Sequence, residues 1–224
     1  MKLKRTIIYV IISLITGFVL TSEVYSQRIK GTIIAGGSLT QVEGDELKGW
    51  SQFGFTGGVG AIVPFGDKWG VNLETTFSQK GSFQKQQFSD SLTDEYRLRL
   101  NYLEVPLYVS YTDKDVMSFG LGGYWGRLLN AREEEHSGNQ TPYIDSVQFN
   151  TDDIGFLVDF RVRVWQRLHL NIRYSQTVFN NIRERYYVPS DPNQQPFTRK
   201  QYNQVISIRA VYIFNEARRD VAPE

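Results

Sequence analysis

Apolar and polar side chains alternate with a period of two along most of the chain after residue 26. In segment 154–165 every even position is apolar, and the odd positions include Asp159, Arg161 and Arg163. Side chains two residues apart point the same way on a β-strand, so this segment predicts a strand with one apolar and one charged face. The same alternation predicts seven further strands, at 29–39, 51–65, 71–78, 98–111, 117–129, 168–175 and 206–214. In the strand at 98–111 the alternation slips between Tyr102 and Leu103, which predicts a bulge or a bend.

The connections between these strands alternate strictly in length. Three are short, at 66–68, 112–116 and 166–167, and the four that separate them are long, at 40–50, 81–97, 130–153 and 182–202. A soluble β-sandwich has no reason to place all its long loops at one end. An outer-membrane β-barrel has such an arrangement, with short periplasmic turns and long external loops.

The direction of the apolar face distinguishes a soluble barrel from a membrane barrel. A soluble barrel hides this face, whereas a membrane barrel turns it toward lipid. Aromatic residues cluster near both ends of the strands, as in the interfacial girdles of membrane barrels. The other face carries charges of both signs, which predicts an interior network of ion pairs formed by Glu74, Glu104, Asp159, Arg161, Arg163, Arg173 and Arg209. We therefore predict an all-β fold, an eight-stranded antiparallel up-and-down transmembrane β-barrel over residues 27–214.

The first 26 residues have the pattern of a cleaved signal peptide. Lys2, Lys4 and Arg5 precede an apolar run at 7–20, and small residues follow before position 27. The run is short for a membrane helix, which needs about 20 residues. We expect an exported protein in the outer membrane of a Gram-negative bacterium, with the short turns and both termini in the periplasm. Residues 215–224 then form a short periplasmic tail.

Composition narrows the classes of function. The chain has a formal net charge of +1 and no cysteine. A nucleic-acid-binding protein needs a strongly basic surface, so no nucleic-acid partner is expected. The absence of cysteine excludes disulfides, thiolate metal sites and cysteine nucleophiles.

Five segments carry a resemblance to a known family. They are Gly36-Gly37-Ser38-Leu39-Thr40-Gln41-Val42-Glu43-Gly44-Asp45, Phe77-Ser78-Gln79-Lys80-Gly81, Asn101-Tyr102-Leu103-Glu104-Val105-Pro106-Leu107, Gly120-Leu121-Gly122-Gly123-Tyr124 and Ile172-Arg173-Tyr174-Ser175. These segments resemble the PorT-like outer-membrane β-barrel family. The resemblance implies an eight-stranded barrel in the outer membrane. The namesake of that family belongs to a type IX secretion and gliding apparatus. The tail 215–224 departs from the resemblance, because such barrels usually end at the last aromatic strand.

Few residues indicate catalysis or metal binding. Ser175, His169 and Asp159 offer the groups of a hydrolytic triad, but polar residues are numerous on this face and assemble easily by chance. The acidic run Glu133-Glu134-Glu135-His136, with Asp145, Asp152 and Asp153, offers oxygen ligands for a cation. Consecutive carboxylates are usually a solvated charge run. We therefore expect no catalytic residue, no bound metal and no cofactor.

These features favour a structural or interaction protein, and the family resemblance implies a component of a secretion or envelope-assembly complex. The alternatives are an outer-membrane enzyme that hydrolyses lipid or peptide and a narrow channel, although side chains fill an eight-stranded interior. The connection at 182–202 is the predicted partner-binding loop, because Tyr186, Tyr187 and Phe197 offer rigid contact area beside Arg199. The expected partners are membrane lipids, lipopolysaccharide and other outer-membrane proteins.

Overall fold

Nine β-strands make up the regular structure in the part of the chain that the structure describes. The computed structural model describes residues 29–44, 49–84, 96–135, 149–187 and 195–215. The strands are β1 (Lys30–Glu43), β2 (Gln52–Phe65), β3 (Trp69–Gln84), β4 (Tyr96–Asp113), β5 (Met117–Glu135), β6 (Asp152–Trp165), β7 (Leu168–Thr177), β8 (Arg183–Tyr187) and β9 (Phe197–Ile213). The predicted signal segment 1–26 and the predicted tail after residue 215 lie outside the described residues. Among the described residues, no helix is long and apolar enough to cross a membrane.

Eight of the strands form a closed ring. Strands β1 to β7 pair antiparallel in chain order, β7 pairs with β9, and β9 pairs with β1. The closing register runs from Thr32 opposite Ile213 to Glu43 opposite Tyr202. Closure leaves no unpaired edge within the ring, and neighbouring strands satisfy each other's backbone groups. The predicted eight-stranded up-and-down barrel is confirmed.

The barrel has two different ends. The turns at 66–68, 114–116 and 166–167 lie at one end, together with the start of β1 and the end of β9. We call this the short-turn end. The strands extend much further at the opposite, long-loop end, where β4 has 18 residues and β5 has 19. A tilted strand needs only about 9–11 residues to cross a membrane, so part of the wall rises beyond the width of a bilayer.

The segment 182–202, predicted as a loop, is largely strand. Strand β8 pairs antiparallel with the first five residues of β9, from Arg183 opposite Gln201 to Tyr187 opposite Phe197. Strand β9 therefore begins at Phe197 and not near residue 206. This correction adds a ninth strand as a hairpin that continues the wall at the long-loop end.

The outer face of the ring is apolar at mid-height. Every strand of the ring exposes at least one large apolar side chain there; examples are Ile33, Val59, Leu73, Leu107, Leu121, Phe160, Ile172 and Ile208. The interior face is polar, with buried Asn72, Glu74, Asp159 and Arg173. This is the orientation that a lipid environment requires, because apolar groups face the hydrocarbon and polar groups face each other.

The polarity of β4 reverses near the long-loop end. Leu98 and Leu100 of β4 point inward and are fully buried, whereas Arg99 between them is exposed. Side chains of β4 alternate in and out without interruption, so the predicted slip at Tyr102 is not a change of direction in β4. The predicted bulge is present in the β4–β5 pair, where the register shifts between Asn101 and Tyr102, but its extra residue is Leu129 of β5. Where water and not lipid surrounds the barrel, the apolar side chains of β4 point inward and the charged ones point outward, so its apolar face changes sides.

Candidate functional site

A network of charged side chains fills the middle of the barrel. Arg173 binds Glu74 with two parallel contacts of 2.9 Å, from Nη1 to Oε2 and from Nη2 to Oε1. Its Nε donates to Asp159 Oδ2 at 2.9 Å. Arg209 also contacts both carboxylates, at 3.2 Å from Nη1 to Glu74 Oε2 and 2.9 Å from Nη2 to Asp159 Oδ2. Strands β3, β6, β7 and β9 thus contribute to one cluster across the interior.

Arg161 joins this network mainly through neutral groups. Its Nη2 donates to the Tyr108 hydroxyl at 2.8 Å and to Asn72 Oδ1 at 3.3 Å. The distance to the nearest oxygen of Asp159 is 3.7 Å. The Tyr108 hydroxyl in turn donates to Glu74 Oε1 at 2.6 Å. Three guanidinium groups therefore share two carboxylates, and Arg161 has the weakest pairing of the three.

Close packing around the network depends on small residues. A Cβ on Gly36 of β1 would lie 2.7 Å from Cα and 3.0 Å from Cγ of Arg209. A Cβ on Gly60 of β2 would lie 2.9 Å from Cγ of Glu74. The distances of 2.7 and 2.9 Å are shorter than real Cβ contacts, so glycine at these positions lets the charged side chains lie against the wall.

Glu104 belongs to a second cluster and not to the arginine network predicted from the sequence. Lys80 Nζ lies 2.6 Å from Glu104 Oε1 and 2.8 Å from Asp153 Oδ2. Asp153 also accepts from the Thr177 hydroxyl at 2.7 Å and from Asn203 Nδ2 at 2.9 Å. All of these side chains are buried.

Lys80 and Asp153 are absent from the predicted set of interior charges. On β3, Lys80 has the same even parity as Glu74, so both side chains lie on the same face of the strand. On β6, Asp153 shares the odd parity of Asp159 in the same way. Both predicted strands are too short: Lys80 falls between the predicted strand at 71–78 and the loop at 81–97, and Asp153 falls in the predicted loop at 130–153. Extending the alternation outward would have found them.

The remaining predicted charge, Arg163, lies nearer the short-turn end. It is half-buried and sits opposite His169 in the β6–β7 register. Ser175 is six residues from His169 on the same strand, a span of about 20 Å at 3.3 Å per residue. The triad considered from the sequence is therefore wrong, because its serine and histidine cannot meet.

A cavity of about 80 Å³, which we call the vestibule, lies at the short-turn end. Its lining includes Ser110, Ser118, Arg161, His169 and Lys68. Lys68 is in the turn outside the wall and donates to the Tyr111 hydroxyl at 3.3 Å. This contact with Tyr111, with a smaller effect of Asp113, raises the pKa of the Lys68 amine above its usual value. The vestibule therefore carries a cation at its turn and a buried guanidinium in its lining.

The long-loop end is closed by apolar and ionic contacts. Val42, Tyr96, Leu98, Leu100, Tyr102 and Ile182 form a buried cluster inside the extended wall. Above it, Arg183 binds Glu133 with contacts of 2.9 and 3.1 Å and donates to the Tyr96 hydroxyl at 2.9 Å. Its guanidinium also lies 4.9 Å from the centre of the Phe149 ring. We call these residues the outer seal.

The β8–β9 hairpin brings the four predicted partner-loop residues together. Tyr186 lies opposite Thr198, and Tyr187 opposite Phe197. The Phe197 side chain is 37% exposed, and the Arg199 guanidinium lies 5.0 Å from its ring centre. The backbone therefore places all four within one short hairpin.

The acidic segment does not converge as a cation site in the part of the chain that the structure describes. Glu133 pairs with Arg183, and Glu134 pairs with Arg132 at 2.7 Å. Asp152 faces outward, 3.2 Å from Arg127, whereas Asp153 points into the barrel. No group of three or more His, Asp or Glu side chains among the described residues is placed to hold a metal ion. His136 and Asp145 lie outside those residues.

This architecture, with an apolar belt outside and ion pairs inside, defines an outer-membrane β-barrel protein. Residues 27–183 match the family described as "Outer membrane protein beta-barrel domain", and the chain belongs to that family. Its location is therefore the outer membrane. No curated protein matches the chain.

Solved structures of outer-membrane barrels are similar to this chain at low sequence identity. Outer membrane protein OprG from Pseudomonas aeruginosa is 16% identical, with a TM-score of 0.48; the match covers 85% of this chain and 98% of that one. Ail, the attachment invasion locus protein of Yersinia pestis, is 14% identical, with a TM-score of 0.45 and coverage of 83% and 98%. Neisserial surface protein A is 12% identical, with a TM-score of 0.48 and coverage of 81% and 96%.

Proposed function

We propose that this protein is a closed outer-membrane barrel that acts through contacts at its long-loop end and does not pass solutes. The observation that supports this function most directly is the filled interior. The arginine network lies across the middle of the barrel, and the outer seal covers it with fully buried Leu98, Leu100 and Ile182. In the proposed orientation the short turns and both termini lie in the periplasm, and the long-loop end faces the exterior, as in other barrels of this class.

We expect no stepwise ion conductance from the folded protein in planar bilayers, because ion pairs and apolar side chains of the described residues fill the interior. The measurement is single-channel recording at symmetric high salt. Insertion is checked in the same preparation by the shift in gel migration between unheated and heated samples. Reproducible current steps that disappear after heat denaturation would contradict the proposal and favour the narrow channel.

The β8–β9 hairpin is the proposed contact surface for another outer-membrane protein. Strand β8 pairs only with β9 among the described residues, so its other edge keeps backbone donors and acceptors for a partner. Exposed Phe197, stacked by Arg199, adds an aromatic contact of the kind enriched in binding hot spots. The resemblance to PorT-like proteins supports a role in a secretion or envelope-assembly complex.

Replacing Tyr186, Tyr187 and Phe197 by Ser is expected to lower partner recovery about tenfold, as loss of an aromatic hot spot does. The measurement is co-purification from detergent-extracted membranes at equal amounts of folded barrel. The matched control is Phe179→Ser, which removes an exposed aromatic at the same end but outside the hairpin. Equal loss in the control, or an unchanged set of partners in the triple variant, would place the contact elsewhere.

Lipopolysaccharide is the second proposed partner. Arg99 of β4 lies directly opposite Arg132 of β5, and both are exposed on the outer wall beyond Leu103 and the apolar belt. Like charges directly opposite each other destabilise a sheet, and Glu134, 2.7 Å from Arg132, compensates only one of these two charges. Phosphate groups on lipid headgroups supply such an anion at this height, and Arg binds phosphate well.

A hydrolytic enzyme has less support. Ser175 and His169 lie far apart on β7, and Asp159 is engaged by Arg173 and Arg209. The family to which the chain belongs is defined by its barrel and not by a reaction. We therefore retain the interaction role as the proposed function.

A further inference from the structure

The positive charges of the central network exceed its negative charges. Arg161, Arg173 and Arg209 face Glu74 and Asp159, which leaves a surplus of one positive charge when all five groups are ionised. Arg173 and Arg209 each contact both carboxylates at 2.9–3.2 Å, whereas Arg161 lies 3.7 Å from Asp159. The surplus charge therefore belongs mainly to Arg161.

Burial makes this surplus costly. The Arg161 side chain is 5% exposed, and its Nε has no hydrogen-bond partner among the described residues. The nearest counter-charge, Asp159, is 3.7 Å away and already binds Arg173 and Arg209, and a buried charge that is compensated incompletely is unfavourable in a protein interior. An arginine donor left unsatisfied adds to this cost, because it has lost water without gaining an acceptor.

The vestibule adjoins this side chain. Arg161 is part of its lining, and Ser118, which lies directly opposite Arg161 in the β5–β6 register, is also part of it. The hydroxyls of Thr112 and Ser118 lie 2.9 Å apart and share one proton between them, so the second hydroxyl proton of the pair remains for an acceptor in the vestibule. A volume of about 80 Å³ is large enough for one small ion with a water molecule. The lining of the vestibule also includes two positively charged residues, Lys30 and Lys68, and two negatively charged residues, Asp67 and Asp115.

We propose that the vestibule binds a small inorganic anion, which acts as the counter-charge of Arg161. The anion enters from the short-turn end and accepts hydrogen bonds from the guanidinium and from the neighbouring hydroxyls. This site is separate from the outer contact surface, and it does not depend on the identity of any protein partner. It holds an ion in place at one end of a closed barrel and gives no path to the other end.

The test uses chloride as the probe. We expect the full-length folded protein in detergent micelles to broaden the ³⁵Cl NMR line in a saturable way, and phosphate to compete with it. Arg161→Gln should weaken chloride binding at least about tenfold, since it removes the charge of a charge-assisted hydrogen bond. The matched control Arg127→Gln removes an arginine of the exposed outer wall and should leave the binding unchanged.

A second variant separates anion binding from loss of the fold. Ser118→Leu keeps every charge of the network and fills the vestibule beside Arg161, so it should also abolish saturable broadening. Folding of each variant is verified by heat-dependent gel migration. Broadening that does not saturate in the wild type, or that is equal in the wild type and folded Ser118→Leu, would overturn the proposal. Equal loss in Arg127→Gln would also overturn it by showing a general surface effect.

Discussion

Replacing Glu74 by Gln is expected to lower the free energy of unfolding by about 3–5 kcal/mol, the cost of breaking a buried ion pair by removing one partner. Glu74 accepts two hydrogen bonds from Arg173, one from Arg209 and one from Tyr108. Gln has the same shape without the charge, so three guanidinium groups would then share Asp159 alone. The measurement is denaturant unfolding in micelles, followed by gel migration and tryptophan fluorescence.

The matched control is Glu134→Gln, the same chemical change in an exposed ion pair with Arg132. Exposed pairs contribute about 0.2–1 kcal/mol, so the control should be nearly as stable as the wild type. Combining Glu74→Gln with Arg173→Met should cost less than the sum of the single changes, with a coupling of about 0.5–3 kcal/mol. Additive losses would show that the two side chains do not act as a pair.

Phe160→Arg is expected to cost about 2–4 kcal/mol, as charged substitutions do at the midplane of a bilayer. Phe160 lies at mid-length of β6, points outward and pairs with exposed Phe119 and Ile172. A guanidinium at this height must be buried in hydrocarbon or must draw water into it. The measurement is unfolding of the barrel from phospholipid vesicles.

The control for this prediction is Val164→Arg on the same face of the same strand. Val164 is exposed beside Trp165 near the short-turn end, where charged substitutions cost only about 0–1 kcal/mol. A large difference between the two variants would show that the cost depends on depth in lipid. Equal costs would mean that the apolar belt does not face lipid at Phe160.

The alternation along each strand was sufficient to predict the barrel and its two faces. It placed Phe160 outward and Asp159 inward, because successive side chains of a strand point alternately to the lipid and to the polar interior of a membrane barrel. Loop lengths predicted which end is short and which is long. These features can be predicted locally, since each depends only on residues that are close in sequence and on whether lipid or the polar interior faces the strand.

Neighbouring residues do not determine the height on the barrel wall at which the surrounding lipid ends and water begins. At this boundary the sequence pattern was misleading. Leu98 and Leu100 continue the inward face of β4, although the sequence alone gave the appearance of a slip near Tyr102. The predicted strands at 71–78 and 154–165 also stop short of the outer parts of β3 and β6, so the prediction omits Lys80 and Asp153, although both keep the inward parity of Glu74 and Asp159. The β8–β9 hairpin was also missed, because its short segment lacks a long alternating pattern.

The sequence by itself determined the class of fold, the apolar belt and the face on which each of the predicted interior charges lies. Only the tertiary structure decided which charges meet. Parity assigns a side chain to a face, but ring closure and strand register assign its height and its neighbours across the interior. For this reason Glu74 lies against Arg173 and Arg209, Glu104 pairs with Lys80, and Arg161 is left beside the vestibule with the surplus charge.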